Sequence, residues 1–340
     1  MTRLLVKSCG PMTSLQDGGR MGWRRFGLSG SGAMDRLALA HANALTGNDS
    51  GAAAVEFTLM GGTVEAADGP VRVAVAGAAS AVTVAGRPLP PGTSASLRPG
   101  ESLVIGPARA GVFMYLAVSG TVDLPPMLGS LSLHLRAEIG GISGRPLRSG
   151  DELPITGPGP TGPELSIPPV PLEPDAPIRV VLGPQADYFD NEAVETFLGA
   201  HYAISGEADR MGYRLSGPPI PHLRGFNIVS DGIVQGSVQV PGSGVPIVMM
   251  ADHQTTGGYP KIATVISPDV RILAQRRAGD RVRFSAISIE EAQAAARAHA
   301  ELIANLGITA SPIRGGLPDP EVLLGLNLAG YATDALAAEP

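Results

Sequence analysis

The chain has 340 residues, 44% of them hydrophobic, a net charge of −6 and a single cysteine, Cys9. It is long enough for two domains with cores and too apolar for a disordered polymer. The acidic balance, with no basic stretch interleaved with aromatics, argues against a nucleic-acid partner, and one cysteine excludes a disulfide framework or a cysteine-rich zinc site.

Charged residues make up only 16%, while 45 glycines and 31 prolines disfavour long helices, so a mainly β protein is expected. The opening "MTRLLVKSCG" lacks the apolar core of a signal peptide, and runs such as "VPIVMMA" are too short to span a bilayer. A cytoplasmic protein without a membrane partner is expected.

Ser14 to Arg36, "SLQDGGRMGWRRFGLSGSGAMDR", sets Gln16, Asp17, Arg20, Arg24, Arg25, Ser29 and Asp35 among six glycines. Glycine lets the backbone take positive φ and approach a ligand closely. Two readings stand: a loop that holds an anionic or amide ligand, or a tight turn whose Asp and Arg pair with each other. Asp35 can cap a helix on "RLALAHANALTGN", which ends on Gly47. Strands follow at Val71 to Gly77, at "AVTVAG", "SLVIGP" and "GVFMYLAVSG", each rich in β-branched or apolar residues and closed by Gly or Pro.

From Leu153 to Ile178 nine prolines remove amide donors and fix φ, so neither a helix nor a central strand can form. Residues 156–177 therefore form a linker or a strap along a surface, between a first β domain (1–155) and a second (178–286). The two parts echo each other: "GRMGW" (Gly19 to Trp23) resembles "DRMGY" (Asp209 to Tyr213), and "RSGDELPI" resembles "RAGDRVRF", each a Gly-Asp turn feeding an alternating strand. Two matches in the same order indicate a duplicated domain.

In the second part "IRVVLGP" reads as a strand, and Asn191 can cap a helix on "EAVETFLGAH". "SGEADRMGYRLSGP" places Asp209, Met211 and Tyr213 on one strand face and Arg210 and Arg214 on the other, a substrate clamp or, for Arg214, a salt-bridged exposed strand. Ser230 to Val265 holds a strand with Gln235, Ser237 and Gln239 on one side, a "PGSG" turn, and a buried strand delivering Asp252, His253, Gln254 and Thr255 at its end, where a pocket is well placed. His253 is read as a solvated loop histidine. Lys261 stands out because only Lys7 and Lys261 are lysines among 25 basic residues. A compact ammonium and a flat guanidinium are not interchangeable, so Lys261 points to chemistry. Ser288 and Glu291 form a capping box for a terminal helix, and 287–340 reads as that helix plus a tail or partner-binding strap.

The candidate catalytic groups are Lys261, Asp209 and Asp17. The candidate substrate-binding groups are Gln16, Arg20, Ser29, Asp35, Arg210, Tyr213, Gln239, Gln254 and Thr255. No phosphate loop, G-x-S-x-G elbow or amidase-type Ser/Gly stretch occurs, and scattered histidines indicate no metal.

Five ordered motifs, "TSLQDGGRMGW…SGSGAMDRLALAHANALTGN", "DRMGYRL", "SDGIVQGSVQVPGSGVPIV", "ADHQTTGGYPKIATV" and "GDRVRF", resemble the biotin-dependent carboxyltransferase family. That family is also called allophanate hydrolase subunit 2, and it includes the C-type subunits of 5-oxoprolinase and the KipA-type proteins. The resemblance covers residues 3–285. It implies tandem cyclophilin-like β-barrel domains with a few short helices and a C-terminal helix. It also implies a subunit 1 or KipI-type partner (the B-type subunit of 5-oxoprolinase) and a further A-type subunit.

The "DHQTTGGYPKIATV" motif resembles the 5-oxoprolinase branch, which implies ATP-dependent opening of 5-oxoproline to glutamate, with ATP shared by the complex. Arg20, Arg210 and Lys261 would then offset phosphate or carboxylate charge, and Gln239 and Gln254 would hydrogen-bond the ring amide. Two alternatives stay open. One is a carboxyltransferase component that acts on a urea-like amide, with biotin on a separate carrier because no Met-Lys-Met motif occurs here. The other is a non-catalytic KipA-type regulatory partner. The sequence departs from the family pattern in Leu131-Ser132-Leu133, where Arg-Ser-Thr is common and Leu131 and Leu133 differ, and at His253, where arginine is usual.

Overall fold

The computed structural model describes residues 2–157, 159–173 and 175–313. Among these residues the fold is mainly β, with four α-helices, the last at Ile289–Asn305. In the first part a seven-stranded sheet and a five-stranded sheet form. The Val/Ala run predicted at Val71 becomes the strand Val71–Ala79, which pairs antiparallel with Ala110–Val118. Branched aliphatic side chains from both sheets, among them Val6, Val55, Val64, Val73 and Leu103, enclose one apolar core.

In the second part an eight-stranded sheet begins with Arg281–Val282 and ends with Phe284–Ala286. These two end strands are separated in the chain by Arg283 alone, so the sheet curls back on itself into a nearly closed barrel. All of its pairs are antiparallel except Ile178–Leu182 with Phe284–Ala286.

The Gly-Asp echo is a real structural repeat. Gly150 and Gly279 both have φ of 91°. Asp151 accepts from the Arg148 amide at 2.8 Å, and Asp280 accepts from the Arg277 amide at 2.8 Å. The other echo repeats only in its arginines, since Gly19 to Trp23 is loop while Gly212–Ser216 is a strand preceded by a turn at Asp209. The strand face shared by Asp209 and Tyr213 in the sequence reading is therefore corrected: Asp209 lies before the strand begins.

Helix α1 (Arg36–Thr46) starts at the Asp35 cap and ends at Gly47, as expected. Helix α2 (Asn191–Gly199) is capped one residue earlier than expected, by Asp190, whose carboxylate accepts from the Ala193 amide. Helix α3 (Ser267–Ala274) is not foreseen; its signal is Ser-Pro-Asp, with proline tolerated in a first turn. Helix α4 (Ile289–Asn305) carries the predicted capping box.

The proline-rich segment runs along the surface, and Ile167 inserts into a small cluster with Leu37, Ala40, Leu45 and, just past α4, Leu306. Leu165–Ser166 pairs with Ser311–Pro312. The predicted tail after residue 313 lies outside the described residues. A single core cluster joins Ala33, Met34, Leu39 and Tyr115 of the first part to Tyr213, Val248, Met250 and Leu273 of the second.

Candidate functional site

The glycine-laced N-terminal loop closes on itself. The Arg20 amide donates to Gly30 O at 2.7 Å, and the Ala33 amide donates to Asp17 O at 3.1 Å. At Gly19 and Gly32, both with φ of 89°, a Cβ would come within 3.0 Å of the opposite backbone, so glycine is required there. Ser31 takes a left-handed φ of 52°, strain that a non-glycine residue holds only when its surroundings impose it.

Asp17 is saturated. Its Oδ1 accepts from the Gly19 amide (2.7 Å), Ser130 Oγ (2.7 Å) and Ser132 Oγ (2.5 Å), and its Oδ2 accepts from the Leu131 amide (2.7 Å). It thereby clamps the 130–132 turn against the loop. Arg20, at 1% exposure, donates from Nη2 to Ser132 O at 2.6 Å, while its Nη1 is buried with no acceptor among the described residues. Burial pulls its guanidinium below the ordinary range, although Asp17 and Asp252 act the other way. The Ser29 and Ser31 hydroxyls are also buried without partners among the described residues.

Arg210 joins the two parts. Its Nη1 donates to Glu56 Oε1 at 2.6 Å, its Nε and Nη2 fork onto Asp252 at 2.9 and 3.0 Å, and Nη2 reaches Gly32 O at 2.7 Å and Gln16 Oε1 at 3.3 Å. Burial opposes its charge, but Asp252 and Glu56 outweigh burial and hold its pKa above the ordinary range. Tyr115 Oη donates to Glu56 Oε2 at 2.7 Å and accepts from the Asp35 amide.

Two buried histidines face this cluster. Burial lowers the pKa of His134, which also feels Asp252, Arg20 and Arg210. It lowers that of His253, which also feels Arg24, Asp252 and His134. Burial thus favours the neutral form of both imidazoles, and His253 Nδ1 lies 2.6 Å from Gln254 O. His253 is 4% exposed, so the expectation of a solvated loop histidine is corrected. It lies four residues past the strand Ile247–Met249, in a segment where Ala251 and Asp252 are buried with it.

Lys261 is buried at the start of its strand. Its Nζ donates to Asp231 Oδ2 at 2.5 Å and to Gly232 O at 2.9 Å. Gln185 Nε2 also donates to Asp231 Oδ2, at 3.1 Å, and the Lys261 bond is the largest cause of that carboxyl's lowered pKa. The next carbonyl, Ile233 O, accepts from Arg24 Nη2 of the N-terminal loop. The short strand Asp231–Gly232, which pairs with Thr256–Gly257, and Ile233 after it are thus gripped by Lys261 from the barrel and by Arg24 from the other part. Lys261 lies opposite Gln239, and Gln254 Nε2 donates to Gln239 Oε1 at 3.4 Å.

The expected site residues therefore fall into separate groups. Gln16 bonds to Arg210, Asp17 and Arg20 both hold Ser132, and Arg20 and Arg210 act on His134, while the Ser29 hydroxyl is buried without a partner among the described residues. Gln239, Gln254 and Lys261 form a second group, and Thr255 adjoins it by accepting the Ile233 amide with its carbonyl. Tyr213 stands apart, its Oη donating to Ala274 O at 2.9 Å. Asp35 is the α1 cap and also accepts from Arg271 and Gln275. Asp209 is an exposed turn residue accepting from the Met211 and Gly212 amides.

Sequence reasoning missed Glu56, His134, Asp231 and Gln185. Glu56 had a usable signal, a lone carboxylate inside the apolar run "AAAVEFTL". The others are brought in by long-range pairing that no local pattern encodes. Leu131 and Leu133 are buried, and their backbones serve Asp17 and Gln16: the Leu131 amide donates to Asp17, and Leu133 O accepts from Gln16 Nε2.

The profile of the carboxyltransferase domain, subdomains A and B, matches residues 26–286. The C-type subunit of 5-oxoprolinase from Haemophilus influenzae is 40% identical over 279 residues, covering 82% of this chain and 89% of the relative. The protein of the same name from Escherichia coli is 39% identical over 290 residues, covering 85% and 93%. At lower identity, the urea amidolyase of Lachancea kluyveri matches at 30% over 318 residues, 85% of this chain but 17% of that longer protein. Among solved structures, the K. lactis urea amidolyase superposes with a TM-score of 0.82 at 26% identity, over 89% of this chain and 20% of that one. TTHA0988 does so with a TM-score of 0.77 at 36% identity, over 84% of this chain, which spans just over half (55%) of it. The chain belongs to the carboxyltransferase family defined by subdomains A and B.

Proposed function

We propose that this chain is the C-type component of an ATP-dependent 5-oxoprolinase complex, opening 5-oxoproline to glutamate together with a KipI-type (B-type) partner and an A-type partner. The observation that carries this reading is Arg20 Nη1, buried with no acceptor among the described residues, in a cluster where Arg20 acts on the buried His134 and His134 in turn acts on the buried His253. The names of the relatives supply the substrate.

Lactam hydrolysis forms a carbon–oxygen bond from water and breaks the ring carbon–nitrogen bond. The water loses a proton and the nitrogen gains one. A neutral buried histidine is suited to take the first proton, and His253 is the candidate. A desolvated guanidinium is suited to hold negative charge as it develops, which Arg20 Nη1 can do. The Gln239–Gln254 pair offers amide groups to the ring. Lys261 holds the short strand Asp231–Gly232 beside the second group. ATP would supply the activation a lactam lacks. Arg20 fits anionic oxygens, whereas no phosphate loop occurs in this chain, so a nucleotide would be held largely by the partner proteins.

The test is reconstitution of the purified chain with its A-type and B-type partners, measuring ATP hydrolysis and glutamate formation with and without 5-oxoproline. Lactam-stimulated turnover supports the proposal. Dependence on a biotin carrier would favour a carboxyltransferase on a urea-like amide, the activity class of the urea amidolyase relatives. Binding to a partner without any turnover would favour a regulatory role.

A further inference from the structure

A cavity of about 650 Å³ lies away from the histidine cluster, between α1, the strand Val71–Ala79, α3 and the proline strap. That volume is within the range of small-molecule sites. Much of its wall is aliphatic, formed by side chains such as Leu37, Val75, Leu89 and Val170, and no Phe, Tyr or Trp is among its lining residues. The strap closes one side: the Ile167 amide donates to Gly92 O at 2.9 Å, and His41 Nε2 lies 3.1 Å from Pro168 O.

One end of the cavity is cationic. Arg109, Arg271, Arg276 and Arg277 line it against Asp35 and Asp280. Asp35 is already engaged by the α1 amides and Gln275, and Asp280 by the Arg277 amide. Arg271 spends only Nε on the protein, at 3.1 Å from Asp35 Oδ1, and its side chain is 13% exposed. Its two terminal nitrogens meet no acceptor among the described residues. Arg277 donates from Nε to Gly111 O and from Nη2 to Ala108 O, which leaves Nη1 over. A guanidinium fork is shaped for two carboxylate oxygens, and its place in the same cavity as the aliphatic wall selects a ligand with a chain behind the carboxylate.

We propose that this cavity is a binding site for an unbranched aliphatic carboxylate of medium chain length, its carboxylate on Arg271 and its chain along Leu37, Val75, Leu89 and Val170. The site is separate from the one proposed for the lactam. Asp35 stands between them, touching Arg271 on one side and, through its amide and Tyr115, Glu56 on the other.

The test is isothermal titration of the full purified chain with sodium decanoate below its micellar range, with decylammonium chloride as the charge-reversed control. The expected result is saturable one-to-one binding of decanoate and none of decylammonium. Arg271→Gln should weaken decanoate binding at least about tenfold, the range for loss of a charge-assisted fork. Leu89→Trp, which fills the chamber and leaves the Asp35 contacts untouched, should abolish it and carries the test whether or not Arg271→Gln folds. Absence of saturable binding, equal binding of decylammonium, or decanoate binding unchanged in Leu89→Trp would each overturn the proposal. So would displacement of decanoate by 5-oxoproline, which would make the cavity the lactam site.

Discussion

Arg210→Met removes a cation that ties the two parts through charge. Arg210 is 11% exposed, and its ion-pair partners Glu56 and Asp252 are 0% and 6% exposed. After the substitution Glu56 keeps the Tyr115 hydroxyl and the Met34 amide on Oε2 but loses its Oε1 donor. Asp252 is worse off, because both of its carboxylate contacts come from Arg210. Breaking a buried pair by deleting one partner costs about 3–5 kcal/mol, and at about 2–4 °C per kcal/mol the melting temperature should fall by about 6–20 °C. Urea unfolding followed by far-ultraviolet circular dichroism and by the fluorescence of Trp23, the sole tryptophan, measures this directly. The companion variant Arg210→Met/Asp252→Asn, which no longer buries an unpaired aspartate, should recover a substantial part of the loss. A single-variant loss below about 1 kcal/mol, or a double variant no more stable than the single, would refute the reasoning.

Three further outcomes are expected. His41, His134, His253 and His299 all have pKa values lowered by burial, so the unfolded chain binds protons first as pH falls. Stability should be full above about pH 6.5 and fall below it by up to about 1.4 kcal/mol per pH unit for each histidine, until the folded values are reached; a urea midpoint that stays flat from pH 8 to 5 would contradict this. Asp17→Asn turns an amide donor toward a group of donors and should cost about 2–3 kcal/mol in urea unfolding, with the 130–132 turn losing protection from hydrogen exchange. Lys261→Arg forces a wide guanidinium between Asp231 and Gly232 O, and should cut kcat/KM for 5-oxoproline at least about tenfold in the reconstituted complex while melting changes little; unchanged turnover would remove Lys261 from the mechanism.

The readable parts of the fold were those encoded locally. Asp35 with Gly47, and Ser288 with Glu291, mark helix ends because caps satisfy backbone groups within a few residues. The Gly-Asp repeat was legible because a positive-φ glycine followed by a capping aspartate is a short-range device. Lys261 was conspicuous through composition, but its partner Asp231 is 30 residues away and invisible to spacing. His253 was misjudged because polarity at a strand end looks the same in sequence whether it meets water or a closed junction. Arg210 reads locally as a strand residue, whereas its role comes from Glu56, 154 residues distant. The duplicated arginines show the same limit: Arg20 and Arg210 match in motif, yet among the described residues one has a nitrogen without an acceptor and the other has all three nitrogens engaged.

The assignment of chemistry to the Arg20–His134–His253 cluster is tested most directly by His253→Gln in the complex assembled with the A-type and B-type partners. Glutamine keeps hydrogen-bonding capacity but accepts no proton at neutral pH. The account predicts a fall in kcat for 5-oxoproline of about a hundredfold or more, the usual share of a proton-transfer group, with the melting temperature and assembly retained. A variant that turns over 5-oxoproline at the parent rate would contradict it and place the reaction elsewhere in the complex.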